Sequence, residues 1–89
     1  MTVREILKSV TVETHYRTIC ELAYSKKPYS YAEHQATFRL AYLYLIGYFR
    51  GASRATCDIS DYVSYTECLA KVNKLAVAYL FKCYAQERV

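Results

Sequence analysis

Glycine and proline are scarce in this sequence, with two and one among 89 residues, and tryptophan is absent. Tight turns draw on glycine for left-handed backbone and on proline for a fixed φ, so a fold of many short strands and turns is excluded. A long apolar stretch is missing too. The longest, "LAYLYLIGYF" at 40–49, is closed off by Arg39 and Arg50, whereas a helix that spans a bilayer needs about 20 such residues. No membrane partner is expected. Like charges never run to five or six in a row, the pattern of a disordered or polyanion-binding tail. The first ten residues, "MTVREILKSV", carry charges inside their apolar positions and do not read as a secretory signal. The expectation is therefore a cytoplasmic chain whose Cys20, Cys57, Cys68 and Cys83 stay reduced.

Motifs for metal binding and catalysis are missing as well. Structural zinc sites use close ligand pairs such as C-x₂-C or H-x₃-H. Here the nearest cysteines are Cys57 and Cys68, and His15 and His34 stand far apart in the chain. A thiol on an apolar helical stripe behaves as a small hydrophobe, which describes Cys20, Cys68 and Cys83. Cys57, in a linker, is the one accessible thiol. There is no G-x-S-x-G elbow and no phosphate-binding loop. The expectation is no metal, no cofactor, no catalytic residue and no enzyme activity.

What the chain does contain is helical periodicity. Hydrophobic residues make up 54% of it, which excludes disorder. Pro28 ends one segment, and Ser30 with Glu33 forms a capping box for the next. From there Tyr31, His34, Phe38, Ala41, Leu45 and Tyr48 recur at spacings of three and four, and Gly51 offers a C-cap. A helix is predicted over 31–50, its second half apolar on every side and so surrounded by other helices. Asp58 or Ser60 can cap a third segment, predicted over 61–86. Its Tyr62, Tyr65, Leu69, Val72, Ala76, Tyr79 and Cys83 keep a heptad spacing. Val12, Tyr16, Ile19 and Ala23 repeat helically over 12–25. "TVREILK" makes a short extra helix or first turns of a longer one, and "SVTVET" is β-branched enough to be extended. The fold class is all-α: one domain over 1–89, a bundle of three main helices. A 10.4 kDa chain folded compactly should expose about 5,400 Å², burying about 64% of its extended surface.

Two functional readings remain. Eleven tyrosines exceed what a core this small absorbs, and tyrosine suits interfaces because it offers a large rigid area with a polar end. Tyr62, Tyr65, Tyr79 and Tyr84 on the long third helix are the candidate partner surface. The chain then works as a small intracellular regulator or inhibitor, binding a larger protein or nucleoprotein complex. A homodimer would also cover the apolar excess. Small chains of this type, without catalytic motifs, are common among the proteins that viruses and plasmids direct at host machinery, an analogy of class only. The alternative is a nucleic-acid binder. Twelve Lys/Arg against eight Asp/Glu give a net charge of +4. "AYSKKPYSY" interleaves Lys26 and Lys27 with Tyr29, and Arg50 and Arg54 could extend that patch.

Overall fold

The computed structural model describes residues 1–25 and 31–87, the last including only the backbone of 31–33 and 86–87. Every element among them is a helix. They are α1 (Val3–Leu7), α2 (Val10–Tyr24), α3 (Tyr31–Ala55) and α4 (Ile59–Glu87). The all-α expectation holds, with three principal helices and a short fourth at the start. The proposed Ser30–Glu33 capping box lies outside the described residues.

Local chemistry sets the ends of these helices. Thr2 caps α1: the Glu5 N–H donates to its Oγ1 at 3.2 Å, while the Glu5 carboxylate accepts from the Thr2 N–H at 3.4 Å. That reciprocal pair is a capping box. Between α3 and α4 the connection is only Thr56, Cys57 and Asp58. Asp58 begins α4 by accepting the Asp61 N–H at 3.1 Å, and its own N–H donates to Thr56 Oγ1 at 3.1 Å. Asp58 rather than Ser60 is the cap. At the far end of α2, the Lys82 ammonium donates to the Leu22 carbonyl at 2.9 Å. A cation there satisfies one of the last helical carbonyls and complements the negative end of the helix.

Several boundaries differ from the sequence expectation, each for a physical reason. Gly51 does not end α3. Neither glycine has a positive φ, so the left-handed cap is not formed and "ASRA" continues the helix to Ala55. The β-branched "VTVET" is helical, not extended. Its Val12 is fully buried, and the hydroxyls of Thr14 and Thr18 donate to the carbonyls of Val10 and Thr14 at 3.2 and 3.0 Å. Burial outweighs the intrinsic preference of the segment.

The three long helices pack side by side around one buried cluster. α3 and α4 form an antiparallel hairpin: Phe38 stacks on Tyr79 with ring centroids 3.9 Å apart, and Tyr42 Oη donates to Asn73 Oδ1 at 2.7 Å. α2 lies along both, and α1 rests chiefly on α4, where the Met1 amino group pairs with the Asp61 carboxylate. Fully buried side chains at the centre include Ile6, Val12, Ile19, Leu45, Phe49 and Val72. The described chain measures 48 × 21 × 18 Å. A helix of 29 residues is about 43 Å long, so α4 alone sets the long axis.

Two stability changes follow. Phe49→Ala removes the largest fully buried side chain and should cost about 3–5 kcal/mol in urea denaturation. Gly51→Ala should do the opposite. A methyl group there meets nothing within 4 Å and the backbone is helical, so the change should stabilise by roughly 0.4–1 kcal/mol. Destabilisation by Gly51→Ala would mean that α3 ends at Gly51.

Candidate interaction surface

The register of the α3/α4 hairpin decides which apolar residues stay outside. On α4 the buried positions are Cys68, Val72, Leu75, Ala76, Tyr79 and Cys83. They fall within one stripe at helical spacing. Ile59, Val63, Val77, Leu80, Phe81 and Tyr84 sit on the flank away from that stripe and are exposed, Ile59 by 81% and Phe81 by 69%. On α3 the same logic buries Phe38, Ala41, Leu45 and Phe49, and leaves Leu40 71% and Leu43 58% exposed. Two helices thus each carry an apolar face that no element among the described residues covers.

The four tyrosines expected at an interface divide. Tyr62 and Tyr84 are exposed, Tyr65 is half-buried and Tyr79 is a core residue at 3% exposure. Tyr79 supports the outer face from behind through its stack on Phe38. Val77, Leu80, Phe81 and Tyr84 together line a shallow apolar depression. Beside it, Phe38, Arg39, Tyr42, Ala76, Tyr79 and Leu80 border a groove of about 240 Å³ between α3 and α4. That is smaller than the roughly 300–1,000 Å³ of most ligand pockets. Leu80 belongs to both, so the two hollows form one continuous surface.

The alternative patch is only partly described. Lys26, Lys27 and Tyr29 lie outside the described residues. Arg50 and Arg54 are exposed, one turn apart on α3. They stand roughly 30 Å along that helix from Tyr31, where the 26–30 segment joins it. From His34 to Ala55 α3 contains no acidic residue, and Arg39, Arg50 and Arg54 are all exposed. The outer side of α3 is therefore apolar and positive at once.

The thiols are placed as the sequence implied. All four cysteines are free; Cys68 and Cys83 are buried, Cys20 is partly buried and Cys57 is exposed. Burial pushes the Cys68 thiol up to about 11, with the Glu67 charge adding to it. Burial also raises the Cys20 thiol and the Tyr16 and Tyr65 phenols. Raised values keep thiols protonated and poorly nucleophilic. Among the described residues no group of three His, Cys, Asp or Glu side chains is arranged to hold a metal ion, and no helix is long and apolar enough to cross a membrane. Compared with protein-family models, curated proteins and solved structures, the chain has no match.

The raised acidities set a pH dependence. A group whose proton is held more tightly in the native state stabilises the fold below its unfolded pKa and ceases to do so as pH climbs through its native one. Folding stability should fall between pH 9 and about 11, the window of Cys68. Cys68→Ala should shallow that fall. Under native conditions a maleimide should label Cys57 first, with Cys68 and Cys83 reacting only on unfolding. Rapid native labelling of Cys68 would contradict its burial.

Proposed function

We propose that this chain is a non-enzymatic binding protein that regulates or inhibits a larger protein or nucleoprotein complex by covering an acidic, partly apolar surface on it. The observation that carries this reading is the outer side of α3. Leu40 and Leu43 are exposed on a stretch of α3, from His34 to Ala55, whose exposed charges are Arg39, Arg50 and Arg54. Leucines this exposed contribute little to the fold of the free chain, and fully burying an exposed leucine against a partner is worth about 1.5–3 kcal/mol. The arginines add the orientation and rate that charge complementarity supplies. Gly47 and Gly51 lie on the same side with open space above them, and glycine costs helix stability. A partner helix could approach closely there. Burial holds the Cys68 thiol in its unreactive form, which favours a binding role over thiol catalysis there.

The competing reading is nucleic-acid binding, for which Arg50 and Arg54 on one face of α3 and the Lys26–Lys27 pair are the available cations. The test compares three proteins: wild type, Leu40→Glu/Leu43→Glu and Lys26→Glu/Lys27→Glu. Each is used to capture partners from lysate and is titrated with single- and double-stranded nucleic acid near physiological salt. The leucine variant should lose the specific protein partner while keeping its helical content, and the lysine variant should keep it. Nucleic-acid binding should stay within roughly 10⁻⁴–10⁻⁶ M, the range of non-specific attraction. Nanomolar binding that the lysine variant abolishes would replace the protein-binding assignment with the nucleic-acid one.

A further inference from the structure

The outer face of α4 has a regularity of its own. Ile59, Val63, Val77, Leu80 and Tyr84 are exposed apolar residues on one side of the helix. Thr66, Ala70 and Asn73 lie between them on that same side, Ala70 and Asn73 exposed and Thr66 partly so. Together these eight positions alternate in steps of four and three over the whole helix. This is a second heptad stripe, displaced about a quarter of a turn or more from the buried one. Its large residues sit at both ends and its small ones in the middle.

We propose that this stripe is a self-association seam, on which α4 of a second copy lies antiparallel to make a two-fold dimer. The seam is long enough for a standard interface. From Ile59 to Tyr84 it runs about 37 Å along the long axis of an elongated chain. Orientation follows from side-chain size and charge. In an antiparallel pair Val63 lies opposite Leu80 of the second copy, and Ile59 opposite Tyr84. Ala70 meets Asn73 at the centre, where small residues let the two backbones approach.

Charge favours the same arrangement. Glu67 and Lys74 flank the exposed edge of the stripe, and neither forms an ion pair within the described chain. The antiparallel register sets Glu67 of each copy beside Lys74 of the other, making two symmetric pairs. A parallel pair would instead set each charge beside the opposite flank of the seam, which is occupied by Leu69 and Ala76 and packed within its own bundle. The seam adjoins the groove between α3 and α4 through Leu80, but it does not rest on the function proposed for the α3 face.

Sedimentation equilibrium on the full chain tests the idea. Wild type should approach twice 10.4 kDa at high micromolar concentration. Val77→Glu, at an exposed position, should weaken the dimer by roughly a hundredfold or more while leaving the circular dichroism unchanged, because it buries an unpaired charge. Glu67→Lys should weaken it by about tenfold, since each lysine would then face Lys74 of the other copy. Glu67→Lys combined with Lys74→Glu should restore the wild-type constant to within about threefold. The exchange keeps the proposal testable even if Val77→Glu fails to fold, because both charges lie on the solvent side. A wild type that stays monomeric, a dimer indifferent to Val77→Glu, or a double exchange that fails to recover would each overturn it. None of these outcomes bears on the α3 reading, which is judged by partner capture.

Discussion

The structure depends on the register in which α3 and α4 pair. Two contacts fix it: the Phe38–Tyr79 stack, with centroids 3.9 Å apart, and the 2.7 Å hydrogen bond from Tyr42 to Asn73. A helix rotates by about 100° per residue, so a slip of one residue would turn α4 by more than a quarter of a turn. In one direction Val72, Ala76 and Cys83 would leave the core and the flank of Glu67, Lys71 and Lys74 would turn toward it; in the other, Asn73 and Leu80 would turn inward in their place. An aromatic stack adds about 0.5–1.5 kcal/mol beyond its buried area, and a hydrogen bond about 1 kcal/mol net. Their larger effect is on choice of register. Once α3 and α4 are set, α2 has a single groove to fill, and Lys82 meets the end of it at the Leu22 carbonyl.

The same register creates the exposed faces. Helices of 25 and 29 residues are covered by one of 15 and one of 5, which cannot enclose them. Each long helix is left with a buried stripe and an apolar face outside. This is uncommon for a monomeric soluble chain, where large contiguous apolar patches mark contact sites. The two faces differ in character. From His34 to Ala55 the α3 face is flanked only by arginines, whereas the α4 face carries a charge of each sign. A surface of one sign selects a partner of the other, and a surface with both signs can match itself. That difference separates a face suited to a foreign acidic partner from one suited to a second copy.

Tyrosine serves both sides of this arrangement. Tyr79 is buried and Tyr42 half-buried, and they hold the hairpin together, while Tyr62 and Tyr84 stand in solvent. Tyr44 rests on His15 of α2 with ring centroids 4.3 Å apart, and is still exposed along one edge. An aromatic ring with a polar tip tolerates positions half inside and half outside, which a phenylalanine or leucine does not. In a bundle this narrow many positions are of that kind, and this accounts for much of the tyrosine content.

The sequence by itself determined the helical class, the three principal segments and the accessibility of Cys57, and it narrowed the cap of α4 to Asp58 or Ser60. These depend on local spacing and on side chains within a few residues of one another. The helical "VTVET" was not legible, because it is decided by the burial of Val12 against residues distant in the chain, and the extension past Gly51 was not, because a glycine can either cap a helix or continue it. The apolar excess of α4 was visible as "LAVAYLF", but not its division. Tyr79 and Leu80 are adjacent in sequence and equally apolar in pattern, yet one is core and the other surface. Only the rotation of α4 about its axis, set by α3 and α2, tells them apart, and that rotation is a tertiary property.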